Sequence, residues 1–219
     1  MVNRYFVAFV LTFLVIGFGL VLTKFFDDSR INAILDSVEF SALDLQYTKQ
    51  ISDYENIFGL PENYCVIMTK SIETQSVAVR KAYLELQAVE TQNFLGNLDL
   101  LIKKYHVQNI ELYLLLEKAR KSCSDLPFPI VFLYNRNSYC ADCISQGKIL
   151  DSVVAKCNNV RNNVRVFAFP FDDNIPVVEL IKASRGIVKA PSVVVGKITF
   201  DSLVSEQKIL SSLPEGVCS

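Results

Sequence analysis

Apolar positions follow three different rhythms along this chain, and each marks a different kind of element. The first is an unbroken run. Tyr5 to Thr23 (YFVAFVLTFLVIGFGLVLT) holds 19 residues without a charge, flanked by Arg4 and Lys24. That is close to the roughly 20 residues a helix needs to cross a bilayer, so a transmembrane anchor is expected over residues 5–23. A cleaved signal peptide is the alternative. Its apolar region would be long for one, and no small-x-small cleavage site comes after it.

The second rhythm is helical. Ile31, Leu35, Val38, Ala42 and Leu45 recur at spacings of three and four, until Gly59-Leu60-Pro61-Glu62 punctuates the pattern. A second helix reads from about Glu62 to Tyr105, with Gly96 as a possible break, and a third from about Gln108 to Ser122. No proline falls between Glu62 and Leu126, which suits long helices. Residues 29–123 therefore read as a helical bundle or stalk that spaces the C-terminal region from the membrane; a substrate-binding module is the other reading. Tyr83, Phe94 and Tyr113 are expected to pack rather than to bind a ligand.

Asp125-Leu126-Pro127-Phe128-Pro129 ends the helical texture, because its two prolines stop a helix and lead into extended chain. The third rhythm then sets in, of short alternating elements. Ile130–Tyr134 reads as a strand, Asp142–Cys157 as a helix, Val164–Phe169 as a strand, and Asn174–Ser184 as a helix capped by Asn174 or Asp173. Ser192–Val195 and Ile198–Phe200 read as strands joined by Gly196-Lys197, the signature of a type II′ hairpin. Ser202–Leu213 closes the chain as a helix. The order β-α-β-α-β-β-α predicts an α/β domain over residues 127–219: a parallel pair, an antiparallel hairpin, and a mixed sheet flanked by helices.

Composition narrows the function. Among 219 residues the formal net charge is −1 and no long basic run occurs, which argues against nucleic acid as a partner. The single histidine, His106, has no Cys, Asp or Glu at ligand spacing, which argues against a metal. The six cysteines point to a compartment that permits disulfides. A short N-terminal tail before a large soluble region fits a single-pass signal anchor, with residues 24–219 outside the cytoplasm. The flanking charges say little, since Arg4 precedes the span while Lys24 and Arg30 come after it.

The candidate chemistry lies at Tyr139-Cys140-Ala141-Asp142-Cys143, between the predicted strand and helix. Unpaired N–H groups and the dipole at a helix N-terminus favour negative charge, so the Cys140 thiolate should be favoured there. Cys143, one turn further in, should be shielded. Cys140 would then attack a partner disulfide, and Cys143 would resolve the mixed disulfide. The Asp142 carboxylate between the sulfurs should oppose a second negative charge and make the pair a milder oxidant. The exchange runs on the sulfurs themselves, so no cofactor is expected. The alternatives are half a zinc site or a fixed structural disulfide. Zinc would need a second ligand pair, and none of Cys65, Cys123, Cys157 and Cys218 forms another CxxC.

A second segment, Arg185-Gly186-Ile187-Val188-Lys189-Ala190-Pro191-Ser192-Val193-Val194-Val195, places a proline before an apolar strand. With the element order and the CxxC at the first strand–helix junction, residues 127–213 resemble the thioredoxin-like superfamily. The resemblance implies that Pro191 is a cis-proline packed against the Cys pair, and that Ala190 and Tyr139 face the substrate. Two departures stand out: Ile130–Tyr134 carries no acid for proton transfer, and Tyr139 replaces a tryptophan. What the resemblance implies is a membrane-anchored, extracytoplasmic thiol-disulfide oxidoreductase acting on protein thiols and disulfides with an unidentified redox partner. A non-catalytic scaffold working through its helical region is the alternative.

Four cysteines remain. Cys65 and Cys123 could be bridged if the second and third helices form an antiparallel hairpin; otherwise they are unrelated. A Cys157–Cys218 bridge would tie down the C-terminal tail.

Overall fold

The computed structural model describes residues 9–22, 24, 49–50, 53–54, 57, 59–91, 98–158 and 163–218. Residues 9–22 are helical (α1), and Phe9, Phe13, Leu14, Val15, Ile16, Phe18, Leu20 and Val21 are exposed on it. Among the described residues no helix is long and apolar enough to cross a membrane. The expected span reaches beyond them, since residues 5–8 and 23 lie outside the described set, as does most of the first helical pattern after Ser29.

The protein has a mixed α/β fold: a four-stranded mixed sheet flanked by helices. The elements after α1 are α2 (Tyr64–Thr91), α3 (Leu98–Ala119), β1 (Phe128–Tyr134), α4 (Ala141–Cys157), β2 (Val164–Pro170), α5 (Pro176–Arg185), β3 (Ser192–Val195), β4 (Ile198–Phe200) and α6 (Glu206–Leu210). The strand order is β2-β1-β3-β4. β1 runs parallel to β2 and antiparallel to β3, and β3 pairs antiparallel with β4.

Strand alternation builds two cores from one sheet. Val131 and Leu133 of β1, Phe167 and Phe169 of β2 and Val194 of β3 face a layer made of α2, α3 and α5. Phe128, Ile130 and Phe132 of β1, Val164 of β2, and Val193 and Val195 of β3 face α4 and α6. The near-continuous apolar run of β1 arises from this, because both of its faces are covered.

Several boundaries differ from the sequence reading. Residues 98–107 belong with the later helix, α3, not the earlier one, because Leu101 and Ile102 extend the buried face of Ile110, Leu112, Leu115 and Leu116. The Gly96 break lies outside the described residues. Helix α5 starts at Pro176, with Ile175 as its cap, rather than at Asn174. Proline is preset for the first helical position, where its missing N–H is not needed. Gly186, at φ 66°, ends α5 in the left-handed region, and its N–H returns to the Lys182 carbonyl. Gly196, at φ 58°, starts the Gly196-Lys197 turn that sets Val195 opposite Ile198.

The helical region packs directly on the sheet, where the sequence suggested a bundle or stalk apart from it. Tyr113 of α3 meets Phe167 and Phe169 edge-on, at ring-centroid distances of 5.3 and 6.0 Å. Arg165 of β2 donates to the Ser76 hydroxyl of α2 at 2.7 Å. A stalk would have needed one apolar stripe. α3 instead buries Leu101 and Ile102 together with Gln108 and Asn109, because helix and strands share its surroundings.

A disulfide between Cys65 and Cys123 joins the start of α2 to the chain just past α3, closing a separation of 58 residues. Replacing both with alanine should lower unfolding stability by about 2–4 kcal/mol, the usual range for a native disulfide, toward the upper end for a loop of this length. The shift in urea midpoint measures it.

Candidate functional site

β1 is held between two neighbours, so its C-terminal end is a fixed point. Beyond Tyr134 the chain crosses residues 135–139 and enters α4 at Ala141. Cys140 caps α4. Its backbone is extended (φ −135°, ψ 92°), and its sulfur accepts the Cys143 N–H at 3.1 Å. The Cys140 carbonyl takes the Ile144 N–H at 3.2 Å, closing the first helical turn.

Cys140 and Cys143 are joined by a disulfide, with Cα atoms 5.2 Å apart. The two ends of that bond differ. Cys140 is partly exposed, whereas Cys143 is 6% exposed and sits in the core with Leu150 and Val153. The Cys140 sulfur also faces a backbone N–H of the first turn, so a thiolate formed there would keep a donor.

The loop before the pair is latched by two acids, Asp172, which the sequence pattern does not single out, and Asp173, which it suggests only as a helix cap. The Asp172 carboxylate accepts the backbone N–H groups of Arg136, at 2.9 Å, and Asn137, at 2.7 Å. The Asp173 carboxylate takes the Arg136 guanidinium and the Asn137 side-chain amide, both at 3.1 Å. A signal for this was present. Asp172-Asp173 comes after the strand read as Val164–Phe169, and parallel neighbours finish on the same side of a sheet. Partial burial raises the Asp172 pKa, but the backbone donors of Arg136 and Asn137, with the Arg136 charge, together hold it below the usual carboxylate range.

β3 brings the second predicted segment to the same end of the sheet, because Ser192 pairs with Leu133 next to the end of β1. The Ala190–Pro191 peptide is cis. Pro191 is buried, while Ala190 is partly exposed and packs, as Cys140 does, against the core cluster that contains Cys143. The Ser192 hydroxyl donates to the Lys189 carbonyl at 2.7 Å and tightens the turn into β3. Large apolar side chains stand exposed on the flanking segments: Tyr139 at 88%, Ile144 at 54% and Val188 at 79%. Asp142 is exposed in the first turn of α4.

At the far end of α4, a disulfide joins Cys157 to Cys218. Lys156 pairs with Glu206 of α6, and Ser152 donates to the same carboxylate at 2.6 Å. Both ends of α4 are therefore tied down.

His106 lies buried on α3. Desolvation lowers its pKa, the Arg136 charge lowers it further, and Asp173 opposes both. Among the described residues no group of three or more His, Cys, Asp or Glu is arranged to hold a metal ion.

Comparison with protein-family models, with curated proteins and with solved structures found no match.

Removing the Asp172 latch should destabilise the Cys loop in a pH-dependent way. The folded carboxyl lies below its unfolded value, so its contribution is complete above that value, about pH 4, and fades as the pH falls through the depressed one. Asp172→Ala should therefore increase amide exchange at residues 135–139 near neutral pH. The difference from the unaltered protein should shrink below about pH 4. Hydrogen-exchange mass spectrometry across that range reads both.

Proposed function

We propose that this protein is a membrane-anchored, extracytoplasmic thiol-disulfide oxidoreductase of thioredoxin-like fold, acting on protein thiols and disulfides. One observation carries the reading. A disulfide of three-residue separation sits at a helix N-terminus, with one cysteine partly exposed and the other buried. Strand order β2-β1-β3-β4, with the Cys pair after central β1 and the Ala190-Pro191 segment entering β3 beside its end, supports the family resemblance. The uncharged run of Tyr5–Thr23 and the exposed apolar side chains of α1 support the anchor.

The chemistry arises from the asymmetry. In the reducing direction the Cys140 thiolate attacks one sulfur of a partner disulfide. The partner's S–S bond breaks, a Cys140–partner bond forms, and the departing thiolate takes a proton from solvent. Cys143 then gives up its proton and attacks the Cys140 sulfur. The second partner thiolate leaves, takes a proton from solvent, and the Cys140–Cys143 disulfide closes. Two electrons and two protons have passed to the partner. The steps run backward when the pair donates its disulfide. Exposed Tyr139, Ile144 and Val188, with the backbone at Ala190, are suited to hold the partner segment during the exchange.

The full chain in detergent should accelerate reduction of insulin disulfides by dithiothreitol, and Cys140→Ser should abolish the acceleration. Equal activity in the two proteins would leave the scaffold reading standing instead. Cys143→Ala should accumulate mixed disulfides through Cys140, which non-reducing gels and mass spectrometry would detect.

A further inference from the structure

The buried face of α4 carries Cys143, Gln146, Leu150, Val153 and Cys157. Four of these are apolar or sulfur-bearing. Gln146 is a primary amide with 0% exposure, one helical turn past the resolving cysteine. Its Oε1 accepts the backbone N–H of Val204 at 2.8 Å. A backbone N–H requires an oxygen there, so the orientation of the carboxamide is fixed and its NH2 group points elsewhere. That Nε2 has no hydrogen-bond partner among the described residues.

Residues three apart on a helix are neighbours, and helical side chains lean toward the N-terminus. Gln146 and Cys143 therefore lie one turn apart on the same buried face of α4, and with the disulfide closed the Nε2 makes no hydrogen bond to the Cys143 sulfur. The needs of the two sulfurs differ. Cys140 already receives the Cys143 N–H. The buried Cys143 sulfur has little water within reach, and as part of a disulfide it needs no strong donor. Once the disulfide opens, it becomes a thiol that must ionise inside the core. β1 holds no acid to take that proton.

We propose that Gln146 is a positioning residue whose Nε2 donates to the Cys143 sulfur in the reduced protein and favours the thiolate that resolves the mixed disulfide. The proposal rests on the oxidoreductase reading for its role in a cycle, but the amide–sulfur interaction can be measured without it. The bond that Cys143 forms to Cys140, the bond it breaks to the partner, and the proton it releases to solvent are those already described. Gln146 changes only how readily that proton leaves.

The test titrates Cys143 in the full chain carrying Cys140→Ser. With the other four cysteines in disulfides, Cys143 is the free thiol, and thiolate absorbance tracks it. Gln146→Met keeps the volume and removes the donor, and with it the acceptor of the Val204 N–H. It should cut the thiolate fraction at a fixed pH about tenfold, as expected for loss of one hydrogen bond to the charged form. With Cys140 restored, resolution of a mixed disulfide should slow only about threefold, because a more basic sulfur is also more nucleophilic. Gln146→Glu keeps an oxygen for Val204 and should lower the thiolate fraction at least as much. It decides the matter if the Met variant does not fold. A Cys143 titration unchanged in the folded variant would overturn the proposal. Loss of insulin reduction in the unaltered protein would instead overturn the oxidoreductase reading and leave the titration result standing.

Discussion

Central placement of β1 is the constraint on which the other features depend. It is hydrogen-bonded on both edges and buried on both faces, so its position has little freedom. Each face seeds one of the two cores through alternating side chains. Its C-terminal end therefore delivers residues 135–140 to a fixed place, where the helix dipole, the latch from the end of β2 and the Ala190-Pro191 turn converge. A shift of β1 by one residue would exchange Val131 and Leu133 with Ile130 and Phe132 between the cores. It would also move the loop of residues 135–139 relative to Asp172 and to the Ala190-Pro191 turn. Sheet register and site geometry are one constraint.

Much of this was legible in the sequence where local chemistry decides. Both strands of the hairpin, the Gly196-Lys197 turn and the helix after the Cys pair were readable from period, glycine placement and capping. The join between the earlier helices and the sheet was not. Tyr113 reads as a packing residue on any helix, and its partners Phe167 and Phe169 lie more than 50 positions away. Periodicity shows that a face is apolar and is silent about what covers it. The α5 start was missed for a related reason. Asp173 reads as a cap in isolation, but its carboxylate is engaged with Arg136 and Asn137. The candidate residues Cys140, Cys143, Ala190 and Pro191 are legible from spacing and resemblance. The acids latching their loop depend on strand pairing, which spacing alone does not reveal.

The two cores also differ in how many polar groups they bury. The α2–α3 side carries Gln75, Lys104, His106, Gln108, Asn109 and Glu111 among its buried residues; Gln75 donates to Glu111 at 3.1 Å, Asn109 to the Ala168 carbonyl at 3.4 Å and Lys104 to Glu85 of α2 at 2.7 Å. The α4 side is nearly all apolar, and Gln146 interrupts it. An unpaired buried amide costs about 1–3 kcal/mol, a sizeable share of a small domain's stability. A leucine at 146 would avoid that cost but leave the Val204 N–H unpaired. Gln146 thus satisfies the loop after β4 and keeps an unpartnered donor on the α4 face that also carries Cys143.

The three disulfides separate by the same kind of reckoning. Cys65–Cys123 and Cys157–Cys218 close separations of 58 and 61 residues, and cross-links of that length restrict the unfolded chain by about 4 kcal/mol each. Cys140–Cys143 closes three, for which the same relation gives less than about 2 kcal/mol. The long bridges bind α2 to α3 and α4 to the tail, the elements that cover the two faces of the sheet. The short one joins residues that a single helical turn already holds together, so chain restriction is a weak reason for it to exist. A bond of small structural value, with one of its cysteines partly exposed and two other bridges strengthening the frame around it, is one whose opening would cost the fold little. That separation of duties is what the proposed exchange requires, a disulfide broken and remade on a rigid support.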